Sequence, residues 1–109
     1  MKSALMWVTI PAGGTTSTAT YKLDDDLALA SIIMPSAWTA ANLAFEASLD
    51  GTTWLPMHKG GSAISSSANA DQFIKVTVDD FIGVPYLRLV ASASQTAERK
   101  IGLLFVVRK

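Results

Sequence analysis

The feature that most restricts the fold of this chain is the close spacing of its turn signals. Short runs of β-branched, aromatic and other apolar residues alternate with turn-forming residues, as at Pro11, Gly13, Gly14, Pro35 and Asp50-Gly51. Runs of about four to eight residues between such stops are long enough for strands but too short for ordinary helices. The spacing therefore predicts an all-β domain.

Period-two alternation and continuous apolar runs identify the predicted strands. They lie at residues 5–10, 15–23, 27–34, 72–78, 86–91 and 99–107, and two more form a hairpin over residues 43–55. Residues 27–34 are nearly all apolar, so this strand is expected at the centre of a sheet with both faces covered. Residues 79–83 have the pattern of one helical turn, capped by Asp79 and closed by Gly83. We therefore expect a single antiparallel β-sandwich of jelly-roll type over residues 1–109, with about seven to nine strands and at most one or two helical turns.

The stretch from Ser36 to Ser48 has two interpretations. Its alanines favour a helix that Ser36 could cap. Against the helix, the residues from Leu43 onward alternate in a strand pattern and lead into Asp50-Gly51, a strong signal for a two-residue hairpin turn in which both residues have positive φ. We interpret residues 36–41 as a loop and residues 43–55 as a hairpin. The Gly- and Ser-rich residues 60–71 are predicted to form a further loop.

Composition excludes several classes of function. The chain has no Cys and a single His, which excludes thiol chemistry, Cys-based zinc sites and clusters of several His ligands. Basic and acidic residues are equal in number, without the excess of Lys and Arg that nucleic-acid binding requires. The longest apolar run after the first predicted strand, residues 27–34, is much shorter than the ~20 residues that span a bilayer. We therefore expect no nucleic-acid partner, no membrane partner and no cofactor.

The acidic residues and the histidine have structural explanations that we prefer to catalytic or metal-binding ones. Glu46 is expected on a strand face and Asp50 in a turn, so the two do not form a convergent catalytic pair. The acidic run 24–26 could contribute to a calcium site, but calcium takes six or more oxygen ligands, and a solvated corner is favoured. His58 has no neighbouring nucleophile motif. We expect no catalytic residue and no metal site.

The aromatic residues allow two interpretations. Trp7, Trp38 and Trp54, with Tyr21 and Tyr86, could form a platform on which a sugar stacks. Alternatively, Trp38 and Trp54 pack in the core or at its rim, since a small sandwich commonly buries one or two large aromatic residues. Packing is the favoured interpretation, and glycan binding through Trp38 and Trp54 stays open as the alternative.

Several segments resemble structural proteins of bacteriophages. They are residues 34–38 (Met-Pro-Ser-Ala-Trp), 42–46, 48–54 (Ser-Leu-Asp-Gly-Thr-Thr-Trp), 81–89 and 101–104. Together they resemble small proteins encoded among the head and neck genes of tailed phages, of the head decoration or cement type. Residues 48–54 and 86–89 (Tyr-Leu-Arg-Leu) are also similar to discoidin-like, galactose-binding-type jelly rolls. The resemblance covers about three-quarters of the chain and implies a β-sandwich virion component, made in the host cytoplasm, without transferring any sugar-binding residue.

Two classes of function follow. The first is a non-enzymatic capsid decoration subunit that binds the major capsid protein lattice and stabilises the head. The composition, 50% hydrophobic and only 17% charged, supports it because association would cover apolar surface. Self-association, as a homotrimer matching threefold lattice positions, is expected on this view. The contact candidates are Leu5, Met6, Trp7, Gly60, Gly61 and Ser62. The second class is a glycan-binding module of a phage neck or tail appendage.

Overall fold

Ten strands and one short helix make up the regular structure of the residues that are described. The computed structural model describes residues 3–24 and 26–107. The strands are β1 (Ser3–Ile10), β2 (Leu27–Ile33), β3 (Leu43–Ser48), β4 (Leu55–Pro56), β5 (His58–Lys59), β6 (Ser62–Ala63), β7 (Ser65–Ser66), β8 (Phe73–Lys75), β9 (Tyr86–Ala91) and β10 (Arg99–Val107). A 3₁₀ helix spans Val78–Phe81. No helix within residues 3–24 and 26–107 has the length and hydropathy to cross a membrane.

Sheet A has four antiparallel strands in the order β1-β10-β2-β8. β1 pairs with β10 along its whole length, from Ser3 opposite Val106 to Ile10 opposite Arg99. The register between β10 and β2 shifts between Leu104 and Phe105, where β2 carries one extra residue. β2 is thus an internal strand, and its central residues are buried on both faces as its apolar sequence predicts.

Sheet B is built around β3. β9 pairs with β3 over six residues, from Leu43 opposite Ala91 to Ser48 opposite Tyr86. The other side of β3 is shared by β4 and β7, each of which pairs with two residues. β5 and β6 form a separate two-stranded hairpin.

One apolar core lies between sheets A and B, so the fold is all-β and antiparallel, as predicted. The largest fully buried side chains from sheet A include Leu29, Ile32 and Phe105, and those from sheet B include Phe45 and Leu89. All belong to a single contiguous cluster. The jelly-roll connectivity stays a prediction.

The 3₁₀ helix delivers one more aromatic side chain to this core. Phe81 is buried and meets Phe45 edge to face, with ring centroids 4.9 Å apart. The predicted cap was wrong: Thr77 occupies the N-cap without a side-chain hydrogen bond, and Asp79 lies inside the helix. Gly83 does adopt positive φ, just after the helix.

Residues 15–23 do not form the regular strand that was predicted. They run beside β9 as an extended segment with a single bridge, between Thr16 and Val90. The buried hydroxyls of Ser17 and Thr20 accept hydrogen bonds from the backbone N–H groups of Leu89 and Leu87, at 2.9 and 3.0 Å. Side chains thus supply acceptors that strand carbonyls would otherwise provide, which explains the abundance of Ser and Thr in this segment.

The prediction of a loop at 36–41 followed by a hairpin is confirmed, but the hairpin turn is not the predicted one. β3 pairs with β4 through Ala47 opposite Leu55, so a long loop, not two residues, connects them. Gly51 has φ +80°, whereas Asp50 does not have positive φ. The Asp50 side chain instead accepts hydrogen bonds from the backbone N–H groups of Thr52 and Thr53, at 2.8 and 2.9 Å. A carboxylate that organises a loop in this way replaces the two-residue turn.

A two-residue turn occurs where a loop was predicted. Gly60 and Gly61 connect β5 to β6, with φ of +59° and +85°. Two successive positive φ values fit the turn that joins adjacent antiparallel strands, and glycine adopts them without strain. The prediction of a structureless loop over residues 60–71 was therefore wrong for its first half, which contains β6 and β7.

Candidate functional site

The outer face of sheet A, turned away from the core, carries three of the four exposed large hydrophobic side chains of the described strands. In β1, Val8 and Ile10 are buried in the core, whereas Leu5 and Trp7, of opposite parity, are 52% and 56% exposed. In β8, Phe73 is 60% exposed. Strand side chains alternate between faces, so the exposed set shares the outer face.

Strand register aligns one apolar row across all four strands. Trp7 lies opposite Gly102, Gly102 opposite Ile33, and Ile33 opposite Phe73. With strands about 4.8 Å apart, this row is about 15 Å wide. We name it the Trp7 row.

Gly102 allows the Trp7 row to be flat. A Cβ atom placed on Gly102 would lie 3.1 Å from Cζ3 of Trp7 and 3.1 Å from Cβ of Ile33. The indole of Trp7 therefore rests on the bare backbone of Gly102, and it occupies space that a side chain at position 102 would need. Any side chain at position 102 would lift the ring away from the sheet.

A second row lies beside the first. Leu5 is opposite Leu104, Leu104 opposite Ser31, and Ser31 opposite Lys75. Lys100, opposite Thr9, carries the other charge on this face. Within the described part of the sheet, the outer face has these two lysines and no carboxylate. The surface is therefore apolar at its centre and cationic at its margin.

The structure separates the predicted contact residues into two groups. Leu5 and Trp7 belong to the outer face of sheet A, but Met6 points the other way and packs, partly buried, against the core. Gly60, Gly61 and Ser62 lie exposed in the β5–β6 hairpin, which pairs with neither sheet A nor sheet B.

Sequence reasoning missed the other half of the surface. Ile33, Phe73 and Leu104 were not candidate contact residues. One signal was present: in β10 the residues that alternate with the core-facing ones are, after Lys100, the non-polar Gly102, Leu104 and Val106. A strand whose outer positions are mostly apolar indicates that its outer side is covered or available for binding.

The tryptophans proposed for glycan stacking are engaged within the protein. Nε1 of Trp38 donates a hydrogen bond to the carbonyl of Ala41 at 3.1 Å, and the ring packs against the core. The guanidinium carbon of Arg88 lies 4.4 Å from the ring centroid of Trp54. Glu46 fixes Arg88 there through a 2.6 Å ion pair. Trp54 therefore presents one ring face to a cation of its own chain.

Two titratable side chains, Asp50 and Lys59, have pKa values shifted by contacts within the protein. Hydrogen bonds from the backbone of Thr53 and Thr52, and then from the Ser48 hydroxyl, lower the pKa of Asp50. Glu46 and Asp50 thus have separate partners and do not form an acid–base pair. The hydrogen bond and charge of Asp80 raise the pKa of Lys59, whose Nζ lies 2.9 Å from that carboxylate.

No candidate metal centre emerges from the residues described. They contain no group of three or more His, Cys, Asp or Glu side chains that could hold a metal ion. The acidic run at 24–26 falls partly outside them, at Asp25. His58 is exposed, with Nδ1 3.3 Å from the carbonyl of Pro56.

A cleft of about 360 Å³ lies beside the β3–β4 loop. Its walls are mostly apolar, and its polar groups come from Ser48, Asp50 and Thr53. These groups already hydrogen-bond one another or the loop backbone. The Ser48 hydroxyl and the Asp50 carboxylate of this cleft are therefore already engaged within the β3–β4 loop.

Comparisons of the chain with protein-family models, with curated proteins and with solved structures found no match.

Proposed function

We propose that this protein is a non-enzymatic structural subunit of a phage virion, a capsid decoration protein that docks on the major capsid protein. The observation that supports it is the Trp7 row: an apolar band across four strands, exposed at both ends by Trp7 and Phe73. The phage assignment itself comes from the sequence resemblance. The structure adds a surface suited to binding another protein.

The size of the surface favours repeated weak contacts. Two rows about 15 Å wide, with same-face residues about 7 Å apart, cover on the order of 300 Å². A stable interface of standard size buries about 800 Å² on each partner. A single contact of this kind is therefore weak, and many copies on one particle gain affinity from multivalency. A shell that presents the same site many times is such a particle.

The charges of the surface define the partner further. Lys75 and Lys100 flank the apolar rows, and the described part of the face has no carboxylate. A partner surface with apolar side chains at its centre and carboxylates at its rim is complementary to this arrangement.

Binding to undecorated heads tests the proposal. Heads from a phage that lacks this gene are mixed with the wild-type chain or with Trp7→Ser or Phe73→Ser. Removing either anchor is expected to weaken binding about tenfold or more, because a buried aromatic side chain contributes about 1.5–3 kcal/mol. Tyr21→Ser is the matched control, since Tyr21 is an aromatic residue with 79% exposure that lies outside sheet A.

The thermal stability of the head is the second measurement. Wild-type protein should raise the temperature at which filled heads release DNA, and the two face variants should not. Equal binding by all variants would refute the role of this face. Loss of cell adsorption with unchanged head stability would instead support the glycan-binding alternative.

A further inference from the structure

The unpaired edge of β1 differs from every other edge of sheets A and B in the described structure. At the opposite edge of sheet A, β8 has three residues and carries Lys75. In sheet B, β4 and β7 have two residues each, and residues 15–23 cover β9. Short length, charge and a covering segment are the usual protections against edge-to-edge pairing.

β1 has none of these protections over most of its length. Its eight residues, Ser-Ala-Leu-Met-Trp-Val-Thr-Ile, include no charged residue, no Pro and no Gly. The strand pairs with β10 on one side and, within residues 3–24 and 26–107, with no strand on the other. A long, uncharged, apolar edge is a template for pairing with another strand.

Thr18 defines where the free edge ends. The backbone N–H of Thr9 donates to Oγ1 of Thr18 at 3.0 Å, and the carbonyl of Thr9 accepts from the N–H of Thr18 at 2.9 Å. Thr9 therefore directs its backbone groups outward from the edge. Alternate residues of a strand do the same, so Ser3, Leu5 and Trp7 present the free donors and acceptors.

We propose that a second copy of this chain pairs with this edge, β1 against β1 in antiparallel register, with Leu5 opposite Leu5 on a twofold axis. The three outward residues within the described part of β1 are symmetric about Leu5, so this register matches their donors and acceptors without using Thr9, whose backbone groups already bond to Thr18. It places Trp7 of one copy opposite Ser3 of the other, and Met6 opposite Ala4. Each pair joins a large side chain to a small one, and no like charges meet.

Such a dimer merges two copies of sheet A into one continuous sheet. The outer faces then lie side by side and double the apolar surface available for docking. The inference does not depend on the proposed capsid role. It differs from the trimer expected from threefold lattice positions, because a twofold edge pairing closes on itself with two chains.

Single-cysteine variants test the register, since the chain contains no other Cys. In the proposed register the Leu5 Cα atoms are about 5.5 Å apart, within the ~4.4–6.8 Å range of a disulfide. Mild oxidation of Leu5→Cys should therefore yield a covalent dimer. Trp7→Cys is the matched control: its two copies lie four strand positions apart, at about 13 Å, and should not cross-link.

Light scattering over a range of concentrations gives the independent measurement. The wild type should be dimeric, and Leu5→Pro monomeric, because Pro removes the outward N–H at position 5 while the bonds to β10 come from neighbouring residues. A circular dichroism spectrum shared with the wild type would show that Leu5→Pro is folded. Phe73→Ser should stay dimeric, which separates this inference from docking by the sheet face. A monomeric wild type, a trimer, or cross-linking of Trp7→Cys as fast as Leu5→Cys would overturn the proposal.

Discussion

A buried glutamine joins three loops of the protein, and its removal should cost a large part of the stability. Gln95 is 1% exposed. Its Oε1 accepts from the backbone N–H of Thr39 at 2.9 Å, and its Nε2 donates to the carbonyls of Thr39 at 3.0 Å and Ala93 at 3.3 Å. Its own backbone bonds to Gly13 and Gly14. The amide thus joins the loop before β3 to the loop before β10, and the Gln95 backbone joins that second loop to the one after β1.

Gln95→Met keeps the length of the side chain and removes the amide. The N–H and C=O of Thr39 then lose their partner in a partly buried place, at about 1–3 kcal/mol for each unsatisfied group. Since Thr39 is only half-buried, we expect a total loss of about 2–4 kcal/mol in the free energy of unfolding. For a domain of this size, this corresponds to a melting temperature lower by roughly 10 °C or more.

Thermal unfolding followed by circular dichroism measures the effect, with a urea titration for the free energy. The matched control is Thr96→Ala, which removes an exposed hydroxyl that contacts the same neighbour, Thr39 Oγ1, at 3.2 Å. It should change the free energy of unfolding by about 0.5 kcal/mol or less. A Gln95→Met melting temperature no lower than that of the control would refute the reasoning that the amide stabilises these loops.

Three further predictions concern single positions. Gly51→Val should lower the urea midpoint more than an exposed-loop substitution does, because Gly51 has φ +80° and a Cβ there would lie 3.3 Å from the ring of Tyr86; an unchanged midpoint would contradict this. The lowered pKa of Asp50 adds stability at pH values above its unfolded pKa of 3.8, and this stability is lost as the pH falls through the folded pKa. Asp50→Asn should therefore lose less stability below pH 3.8 than the wild type. An equal loss of unfolding free energy with acid in both proteins would count against the loop bonds. Gly102→Ala should lift the indole of Trp7 from the sheet and shift its fluorescence to longer wavelength. Ser62→Ala, an exposed change in the β5–β6 hairpin, should leave the emission unchanged; identical spectra of Gly102→Ala and the wild type would show that the ring does not rest on position 102.

The positions of the main strands could be predicted because their patterns are local. Residues 27–34 are apolar throughout and form the internal strand β2, and alternation in residues 72–78 placed Phe73 and Lys75 on the exposed side of β8. The turns were harder to predict from the sequence, because Asp50-Gly51 and Gly60-Gly61 are both compatible with positive φ and either could form a two-residue turn. The outcome was decided by the Ser48 hydroxyl, which accepts from the Gly51 N–H at 2.8 Å and favours a wider loop.

The candidate surface could be predicted only in part, because it depends on strand register. Leu5 and Trp7 were identified from one apolar strand near the beginning of the chain. Their neighbours Gly102, Ile33 and Phe73 come from three distant segments, and only the pairing of four strands brings them into one row. No periodicity within a single segment contains that information.

The hydroxyls of Ser17 and Thr20 give β9 two edges of different kinetic character. Arg88 and Val90 face the ladder to β3, so their amides should exchange with solvent only when the domain unfolds as a whole. The amides of Leu87 and Leu89 depend on the two hydroxyls of a segment that is not a regular strand. Amide hydrogens at alternate residues of β9 should therefore exchange at two different rates. The faster rate measures how often residues 15–23 leave the sheet while the core stays closed.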